Sequence, residues 1–272
     1  MKKWYKGYID AMFKAIFCDE KNEHLLKWLI EKCLGKEVKI IKIIKPEIIK
    51  PNIYVKNKTL DVLLEVDREI INLEINSGYY DGLHERNASY IFSKYSEEIK
   101  VGEVYDKMTK FYQINFTRDL SLKYPLLGLY NLTDNDTKIN FIDNLTIFEY
   151  NIDKIHDACY NDNDMTYDYV AMLDSTEEEL EKICKGERHM EDYKENIKRL
   201  NENKRFTDWI SEEEDARKVT NTLIQNAKEE GIEEGMKENK IEIAKKMISE
   251  KIDIELISKI TGLLKDELEN LK

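Results

Sequence analysis

The stretch TLDVLLEVDREIINLEINSG, residues 59–78, predicts two β-strands joined by a tight connection. Successive side chains of a strand point to opposite faces of a sheet. One face of this hairpin is apolar and must be buried against a helix; it carries Leu60, Val62, Leu64, Val66, Ile71, Leu73 and Ile75. The opposite face carries Asp61, Leu63, Glu65, Asn72, Glu74 and Asn76. The hairpin therefore places carboxylates inside runs of otherwise apolar residues.

The register of the hairpin decides whether Asp61 and Glu74 meet. If the turn is centred between Asp67 and Arg68, Asp61 lies directly opposite Glu74, with Cβ atoms roughly 4.5–5.5 Å apart. A symmetric loop of two or four residues keeps this pairing, whereas a three-residue loop puts the two carboxylates on opposite faces. Because Asp-Arg is not a favoured pair for a two-residue turn, we expect a longer loop.

Two carboxylates held this close repel each other, and like charges directly opposite destabilise a sheet by roughly 0.2–1 kcal/mol. A divalent cation between Asp61 and Glu74 would offset this repulsion, because Mg²⁺ is typically held by one or two carboxylates together with waters and phosphates. Asn76 follows Glu74 on the same face and could donate a hydrogen bond to a water or a phosphate oxygen. The alternative interpretation is that this face is exposed and the acids are simply solvated charges.

The composition favours a helix-rich soluble protein with one large domain or two smaller ones. The 272 residues are 42% hydrophobic and 36% charged, with ten Gly and three Pro. The formal net charge of -12 argues against a general polyanion binder, because affinity for phosphate comes mainly from Lys and Arg. The 43 basic residues still allow a local basic surface within the acidic whole.

The cysteines and the N-terminus favour a cytoplasmic protein. The four cysteines share no metal or redox spacing, which is typical of a reduced compartment. MKKWYKGYIDAMF lacks the apolar run of a signal peptide, and no window approaches the roughly 18 apolar residues of a membrane span. The motifs HExxH, GxxxxGK[ST], GxGxxG and GxSxG are also missing, which argues against zinc hydrolases, P-loop NTPases, Rossmann enzymes and α/β-hydrolases.

Residues 1–185 are predicted to form an α/β core. Apolar residues recur at helical spacing between residues 8 and 34, and Gly35 predicts the end of that helical segment. The prolines of the isoleucine-rich segment KEVKIIKIIKPEIIKPNIYV favour edge strands or a bent connection over a central strand. After the hairpin, residues 79–110 are predicted to be mainly helical. Further strands are predicted at residues 111–116, 126–132 and 146–150.

Residues 186–272 are predicted to form a charged helical extension, because they contain few strand formers. Gly231 and Gly235 weaken helix propensity there by about 1 kcal/mol each relative to Ala. The tail IDIELISKITGLLKDELENLK predicts two short amphipathic helices with a turn at Gly262. This pattern is similar to a helix-turn-helix, and the alternative is a small docking or oligomerisation module.

Three stretches together resemble the Rpn family of recombination-promoting nucleases, often labelled transposases, within the PD-(D/E)XK nuclease superfamily. YIDAMFKAIF, residues 8–17, resembles the opening helix of that family, and LDVLLEVDREIINLEIN, residues 60–76, resembles its Asp and Glu-x-Gln hairpin. IEEGMKENKIEIAKKMISEKIDIELISKITGLLKDELENL, residues 232–271, is similar to its tail. The resemblance implies a restriction-endonuclease-like α/β core, with a mixed sheet flanked by helices. It also implies Mg²⁺-dependent cleavage of DNA phosphodiester bonds, in recombination or transposition.

The resemblance assigns roles to the residues of the hairpin. Asp61 and Glu74 are implied as ligands of Mg²⁺, for which Mn²⁺ is an alternative, and the Ile75 carbonyl would complete the set. Asn76 stands where the superfamily has Lys and this family usually has Gln. It is implied to orient the attacking water, with a shorter amide and no charge. Leu60 replaces the Pro that precedes the Asp in the superfamily.

Three further residues are candidate contributors. Asp10 on the opening helix could add a carboxylate, or could be only the first-turn charge of that helix. Arg86 and Lys94, on the helix predicted after the hairpin, could contact phosphate or form surface ion pairs. DNA is the expected partner, and the C-terminal helices are expected to form a homodimer. The rival interpretation is a catalytically inactive protein that keeps the fold and acts through interaction or oligomerisation.

Overall fold

The computed structural model describes residues 3–39, 41–44, 62–97 and 109–271. Within it the chain forms two compact units, Met1–Thr207 and Asp208–Lys272. The predicted metal ligand Asp61 and the proline-containing segment before it lie outside the described residues, as do residues 98–108 of the predicted middle helix.

The first unit opens with the two helices expected from the apolar pattern of residues 8 to 34. Helix α1 runs Asp10–Phe17 and buries Met12, Phe13, Ile16 and Phe17. Helix α2 runs Glu23–Leu34 and ends at Gly35, as predicted. The predicted middle helix is α3, Leu83–Glu97. Four further helices of this unit follow the sheet: α4 Ile152–Asn161, α5 Asp168–Ala171, α6 Glu177–Ile183 and α7 Arg188–Glu202.

The described strands form one six-stranded mixed sheet in the order β1-β2-β3-β4-β6-β5. The strands are β1 Ile41–Ile44, β2 Val62–Val66, β3 Glu69–Asn76, β4 Phe111–Thr117, β5 Leu127–Tyr130 and β6 Leu145–Asn151. Strand β3 pairs parallel with β4, β4 pairs parallel with β6, and the other neighbours pair antiparallel. The sheet confirms the predicted α/β core, and β1 lies at one end of the described strand order.

The hairpin of β2 and β3 has the register that follows from a turn centred between Asp67 and Arg68. Val66 pairs with Glu69, so the loop consists only of Asp67 and Arg68. Their φ angles of 49° and 70° meet the requirement of a type I′ turn for two positive φ values. The expectation of a longer loop is wrong. The described register, which continues to the pair Val62 and Leu73, is the one that a pairing of Asp61 with Glu74 requires.

Strand β3 is buried on both of its faces. On the face of Ile71, Leu73 and Ile75, helix α1 covers the sheet, where the Phe13 ring lies 6.1 Å from that of Phe116 on β4. The other face is covered by α3, since Ile91 packs with Ile70 and Phe111. The polar residues of that face, Asn72, Glu74 and Asn76, are buried. For these three residues the alternative interpretation, in which the face is exposed to water, is therefore wrong.

The first compact unit extends past residue 185 because α7 belongs to it. The Tyr193 ring of α7 stacks on Phe17 of α1 with their centroids 5.8 Å apart, and Tyr193 and Ile197 are fully buried. This helix therefore contributes to the core of the unit that carries the hairpin. The predicted division between residues 185 and 186 falls inside this compact unit.

The second unit is helical and has a small core of its own. Helix α8, Lys204–Ser249, continues through Gly231 and Gly235. Helices α9, Ile254–Thr261, and α10, Lys265–Glu269, follow, with the predicted turn at Gly262. The core of this unit consists of Ala244, Ile257, Leu263 and Leu268. In the described part of the chain, no helix combines the length and the apolar character needed to cross a membrane.

The two-residue turn predicts a stabilising substitution. Arg68 is exposed and has a φ of 70°, a conformation that costs an L-residue roughly 1–2 kcal/mol and Gly almost nothing. We expect Arg68→Gly to raise the free energy of unfolding by about 1 kcal/mol in urea titrations. The control is Arg68→Ala, which removes the same charge but keeps the strained backbone. Equal stabilisation by both substitutions would show that the charge, and not the turn, is responsible.

Candidate active site

The polar side chains of the three parallel strands lie in register on one face of the sheet. Glu74 of β3 is the Cα partner of Asn115 of β4, and Asn115 is the partner of Glu149 of β6. Asn72 and Asn76 lie beside Gln113 and Thr117 in the same way. All seven of these side chains are buried. The result is a polar layer inside the sheet, which we call the polar row; its members are Asn72, Glu74, Asn76, Gln113, Asn115, Thr117 and Glu149.

Glu74 is a buried carboxylate that both its neighbours and a helix stabilise. It is 1% exposed, and its Oε1 accepts a hydrogen bond of 2.9 Å from Asn72 Nδ2. Its Oε2 lies 3.4 Å from Nη2 of Arg86, in the first turn of α3. An isolated buried carboxylate would be strongly disfavoured, and a paired, hydrogen-bonded one is tolerated. Arg86 therefore supplies the positive charge that Glu74 needs at this position.

Arg86 also binds Asn76, so three of the sequence-predicted site residues lie together. Its Nη2 donates to Asn76 Oδ1 at 3.1 Å, while Asn76 Nδ2 donates to Thr117 Oγ1 at 3.0 Å. The Arg86 side chain is 37% exposed, and its guanidinium also lies over the rings of Tyr80 and Tyr90 at 5.9 and 5.5 Å. Arg86 thus reaches from the buried end of β3 to solvent.

The other predicted site residues are placed differently. Asp10, the first residue of α1, forms an ion pair of 2.7 Å with Lys14 one turn later. Lys94 forms an ion pair of 3.1 Å with Glu97. Both arrangements agree with the structural alternative given for these residues. Ile75 is buried in β3, where its side chain lies on the face opposite Glu74. Asp61 lies outside the described residues, so its position in the site stays a prediction.

A chain of amides connects Glu74 to a second buried carboxylate that the sequence analysis missed. Asn72 Nδ2 donates to Gln113 Oε1 at 2.9 Å as well as to Glu74. Gln113 Nε2 then donates to Asn115 Oδ1 at 2.7 Å, and Asn115 Nδ2 donates to Glu149 Oε2 at 2.7 Å. Glu74 thus accepts the hydrogen bond at one end of this series of amides, and Glu149 accepts the hydrogen bond at the other end.

Glu149 has one oxygen engaged and one without a partner. It is 3% exposed, and Nε2 of His84, in the first turn of α3, lies 3.6 Å from its Oε2. Its Oε1 is buried and has no hydrogen-bond partner in the described part of the chain. Burial raises the pKa of Glu149, against the lowering effect of hydrogen bonds from Thr117 and Asn115 and of the charge of His84.

The sequence contained a signal for Glu149 and for the amides that lead to it, namely the same alternation of polar and apolar residues that identified Glu74. Gln113, Asn115 and Thr117 alternate with apolar residues in FYQINFT, and Glu149 interrupts the apolar residues of LTIFEYN. The alternation shows which residues share a face, but the order of strands in the sheet is needed to bring Glu149 close to Glu74.

The residues around Glu74 suit a hard divalent cation. Oxygen atoms are the ligands that Mg²⁺ prefers. Besides the Glu74 carboxylate, Asn72 Oδ1 is a buried acceptor without a partner among the described residues, and Asn76 contributes an amide oxygen. The described residues contain no group of three or more His, Cys, Asp or Glu placed to hold a metal. A metal site here therefore depends on Asp61 for its second carboxylate.

The raised pKa of Glu149 predicts a pH-dependent effect of its substitution. A raised pKa in the folded state stabilises the protein below the pKa of the unfolded chain, and this stability is lost as the pH rises through the folded pKa. Glu149→Gln imitates the neutral acid. We expect its melting temperature to match that of the parent below about pH 4 and to exceed it increasingly towards neutral pH.

Thermal unfolding followed by circular dichroism between acidic and neutral pH measures this difference. Glu178→Gln is the matched control, because Glu178 is exposed and its substitution should leave the pH dependence of the parent unchanged. A difference between Glu149→Gln and the parent that is constant with pH, or that falls as the pH rises, contradicts the stated cause.

Comparison with known families agrees with this geometry. Residues 7–227 match the family described as PD-(D/E)XK nuclease family transposase. Residues 237–272, which include α9 and α10, match the C-terminal HTH domain of the Rpn/YhgA-like nuclease family and confirm the helix-turn-helix interpretation of the tail. No curated protein and no solved structure matches the chain. Because the first match covers well over half of the sequence, the chain belongs to the PD-(D/E)XK nuclease family of transposases.

Proposed function

We propose that this protein is a metal-dependent DNA endonuclease that hydrolyses phosphodiester bonds. The observation that carries the proposal is the buried Glu74 carboxylate, 1% exposed, on the hairpin strand that carries the Glu-x-Asn sequence. A carboxylate at this depth needs a cationic partner, which Arg86 supplies in this structure and which a metal ion could supply in its place. A divalent cation bound at Glu74 would supply this positive charge. The same ion would also neutralise the negative charge of a phosphodiester during cleavage.

Asp61 and Glu74 would hold the cation, Mg²⁺ or Mn²⁺, and the Ile75 carbonyl would add a backbone ligand. Bound there, the ion would neutralise the scissile phosphate and lower the pKa of a coordinated water. The described register of β2 and β3 supports this assignment, because continuing it by one pair beyond Val62 and Leu73 sets Asp61 opposite Glu74.

Arg86 would then have a second role, in phosphate binding. Its guanidinium now pairs with Glu74 Oε2 and Asn76 Oδ1, the positions that a cation would compete for. With a cation held at Glu74, the guanidinium would be free to bind a phosphate, for which its planar pair of N–H donors is well suited. Its partial exposure leaves room for this contact.

Asn76 would orient the attacking water. Its amide has two N–H donors, and the contact with Thr117 Oγ1 at 3.0 Å requires only one of them. Because Asn carries no charge, it can position a water but does little to deprotonate it. A Lys at this position would give more help with that deprotonation than Asn76 can.

The second unit would bring the nuclease to DNA. Its helix-turn-helix match supports DNA as the partner, since such modules place a helix in the major groove. We further propose that the C-terminal helices form a homodimer, that the cleavage serves recombination or transposition, and that the protein is cytoplasmic.

A second candidate function is an inactive descendant that acts through interaction or oligomerisation. The pairing of Arg86 with Glu74 favours it, because an arginine can stabilise the buried carboxylate permanently in place of a metal. In that case Asn76 is also part of a purely structural network with Arg86 and Thr117.

Plasmid nicking separates the two candidates. We expect the parent to nick supercoiled plasmid with Mg²⁺ or Mn²⁺, and Asp61→Asn and Glu74→Gln each to reduce the rate by more than about 100-fold, since even outer-shell partners of a metal site contribute 10–100-fold. Glu178→Gln, an exposed substitution of the same chemistry, should keep the rate of the parent. Equal nicking by all four proteins would indicate a contaminant and favour the inactive candidate.

The competition between Arg86 and a cation predicts the effect of removing the arginine. Arg86→Ala should lower the melting temperature without metal, because Glu74 loses its partner, and should increase the rise in melting temperature that Mg²⁺ produces. Its cleavage should fall by roughly 10- to 100-fold, the equivalent of the 1.5–3 kcal/mol of a charged hydrogen bond.

Arg86→Lys is the matched control, because it keeps the charge and should retain most of the stability without metal. An unchanged Mg²⁺ effect in Arg86→Ala would mean that the arginine and the cation do not share Glu74.

A further inference from the structure

A cavity of about 320 Å³ lies on the same sheet face as Glu74, beside the strand that carries Glu149. Asn115 and Glu149 form its floor, His84 and Asn87 of α3 form one wall, and Tyr124 and Tyr130 lie towards solvent. Its volume is at the lower end of the roughly 300–1,000 Å³ of small-molecule sites. The predicted metal site does not include any of these six residues.

Three polar atoms that belong to this cavity are buried without hydrogen-bond partners in the described part of the chain: Glu149 Oε1, Asn87 Nδ2 and His84 Nε2. The orientation of the Asn87 amide follows from Arg86, whose Nε donates to Asn87 Oδ1 at 3.3 Å. Of the three, His84 Nε2 faces Glu149 Oε2 at 3.6 Å. Because a buried polar atom without a partner destabilises the fold, Glu149 Oε1 and Asn87 Nδ2 at one cavity indicate a missing ligand. That ligand must donate to the carboxylate and accept from the amide.

Aromatic side chains line the mouth of the cavity, and a glycine in β5 leaves space for one of their rings. Gly128 is the strand partner of Glu149, and a Cβ at Gly128 would lie 2.7 Å from ring atoms of Tyr130. The Tyr130 ring is therefore folded over the glycine, next to Glu149. On the other side, the Tyr124 ring packs edge-on against His84 at 5.7 Å. A flat heteroaromatic ligand can pack against these rings.

We propose that this cavity binds a single unstacked guanine base of the DNA substrate. Guanine has two adjacent donors, N1–H and N2–H, for the Glu149 carboxylate, and its O6 accepts from Asn87 Nδ2 or His84. Enzymes that unstack a base read its Watson–Crick edge in this way and stack the base on aromatic side chains. The inference rests on the proposed cleavage of DNA, and it adds base recognition beside the scissile bond.

The placement of the two carboxylates fits one nucleotide. Glu74 on β3 and Glu149 on β6 lie in register on either side of β4, roughly 9–10 Å apart across the sheet. An extended nucleotide spans a comparable distance between its phosphate and the far edge of its base. The amides of Asn72, Gln113 and Asn115 join the two ends, so base binding at Glu149 is coupled to the geometry of Glu74.

Calorimetric titration of the full chain with dGMP, dCMP, dAMP and dTMP, without divalent metal, tests the proposal. Inorganic phosphate alone measures any binding by Arg86 that does not involve a base. We expect dGMP to bind at least about 10-fold more tightly than the other three, since one bidentate base contact discriminates by 1–3 kcal/mol. Glu149→Gln should weaken dGMP binding by a similar factor, and Tyr130→Ala should weaken it without loss of fold.

Glu178→Gln, an exposed substitution of the same chemistry, should bind dGMP as the parent does. Because the titration contains no divalent metal, its result does not depend on catalysis. Equal binding of all four nucleotides, or heat no greater than that of phosphate, overturns the proposal. Preference for another base overturns the assignment to guanine. Unchanged dGMP binding by Glu149→Gln shows that the cavity is not the site.

Discussion

The ionic and hydrogen-bonded environment of Glu74 is the constraint on which the rest of the structure depends. A carboxylate that is 1% exposed inside a sheet is tolerated only if donors and a positive charge surround it. Asn72 provides the donor from the same strand, and Arg86 provides the charge from α3. The position of α3 over this face of the sheet is therefore an electrostatic requirement as well as a packing arrangement.

The polar row acts as one unit because each amide in it serves two neighbours. Asn72 donates both to Glu74 and to Gln113, and the chain continues through Asn115 to Glu149. Hydrogen bonds in such a network strengthen one another, and a missing member leaves buried groups unpaired. One end of the row carries the proposed metal ligand, and the other end carries the proposed base-binding cavity. A single face of the sheet thus provides both parts of the proposed substrate site.

The hairpin could be predicted from the sequence because its alternation and its centre are local properties. The two-residue loop could not, since the positive φ angles of Asp67 and Arg68 are supported by a distant contact, in which Lys39 N donates to Asp67 Oδ2 at 3.0 Å. Glu74 and Asn76 were identified from the alternation and register of the hairpin, and the resemblance to a known family then implied their roles. Glu149 was missed because only the parallel pairing of β4 with β6 brings it into line with Glu74. Parallel strands are joined by long connections, so their neighbours cannot be read from local sequence.

The central claim is that Asp61 and Glu74 share one divalent cation. A crystal of the protein grown with Mn²⁺ and measured at the manganese absorption edge tests it most directly. We expect an anomalous peak at bonding distance from both carboxylates, with Arg86 turned away from Glu74. No peak at Glu74, or an Asp61 side chain on the opposite face of the sheet, would contradict it.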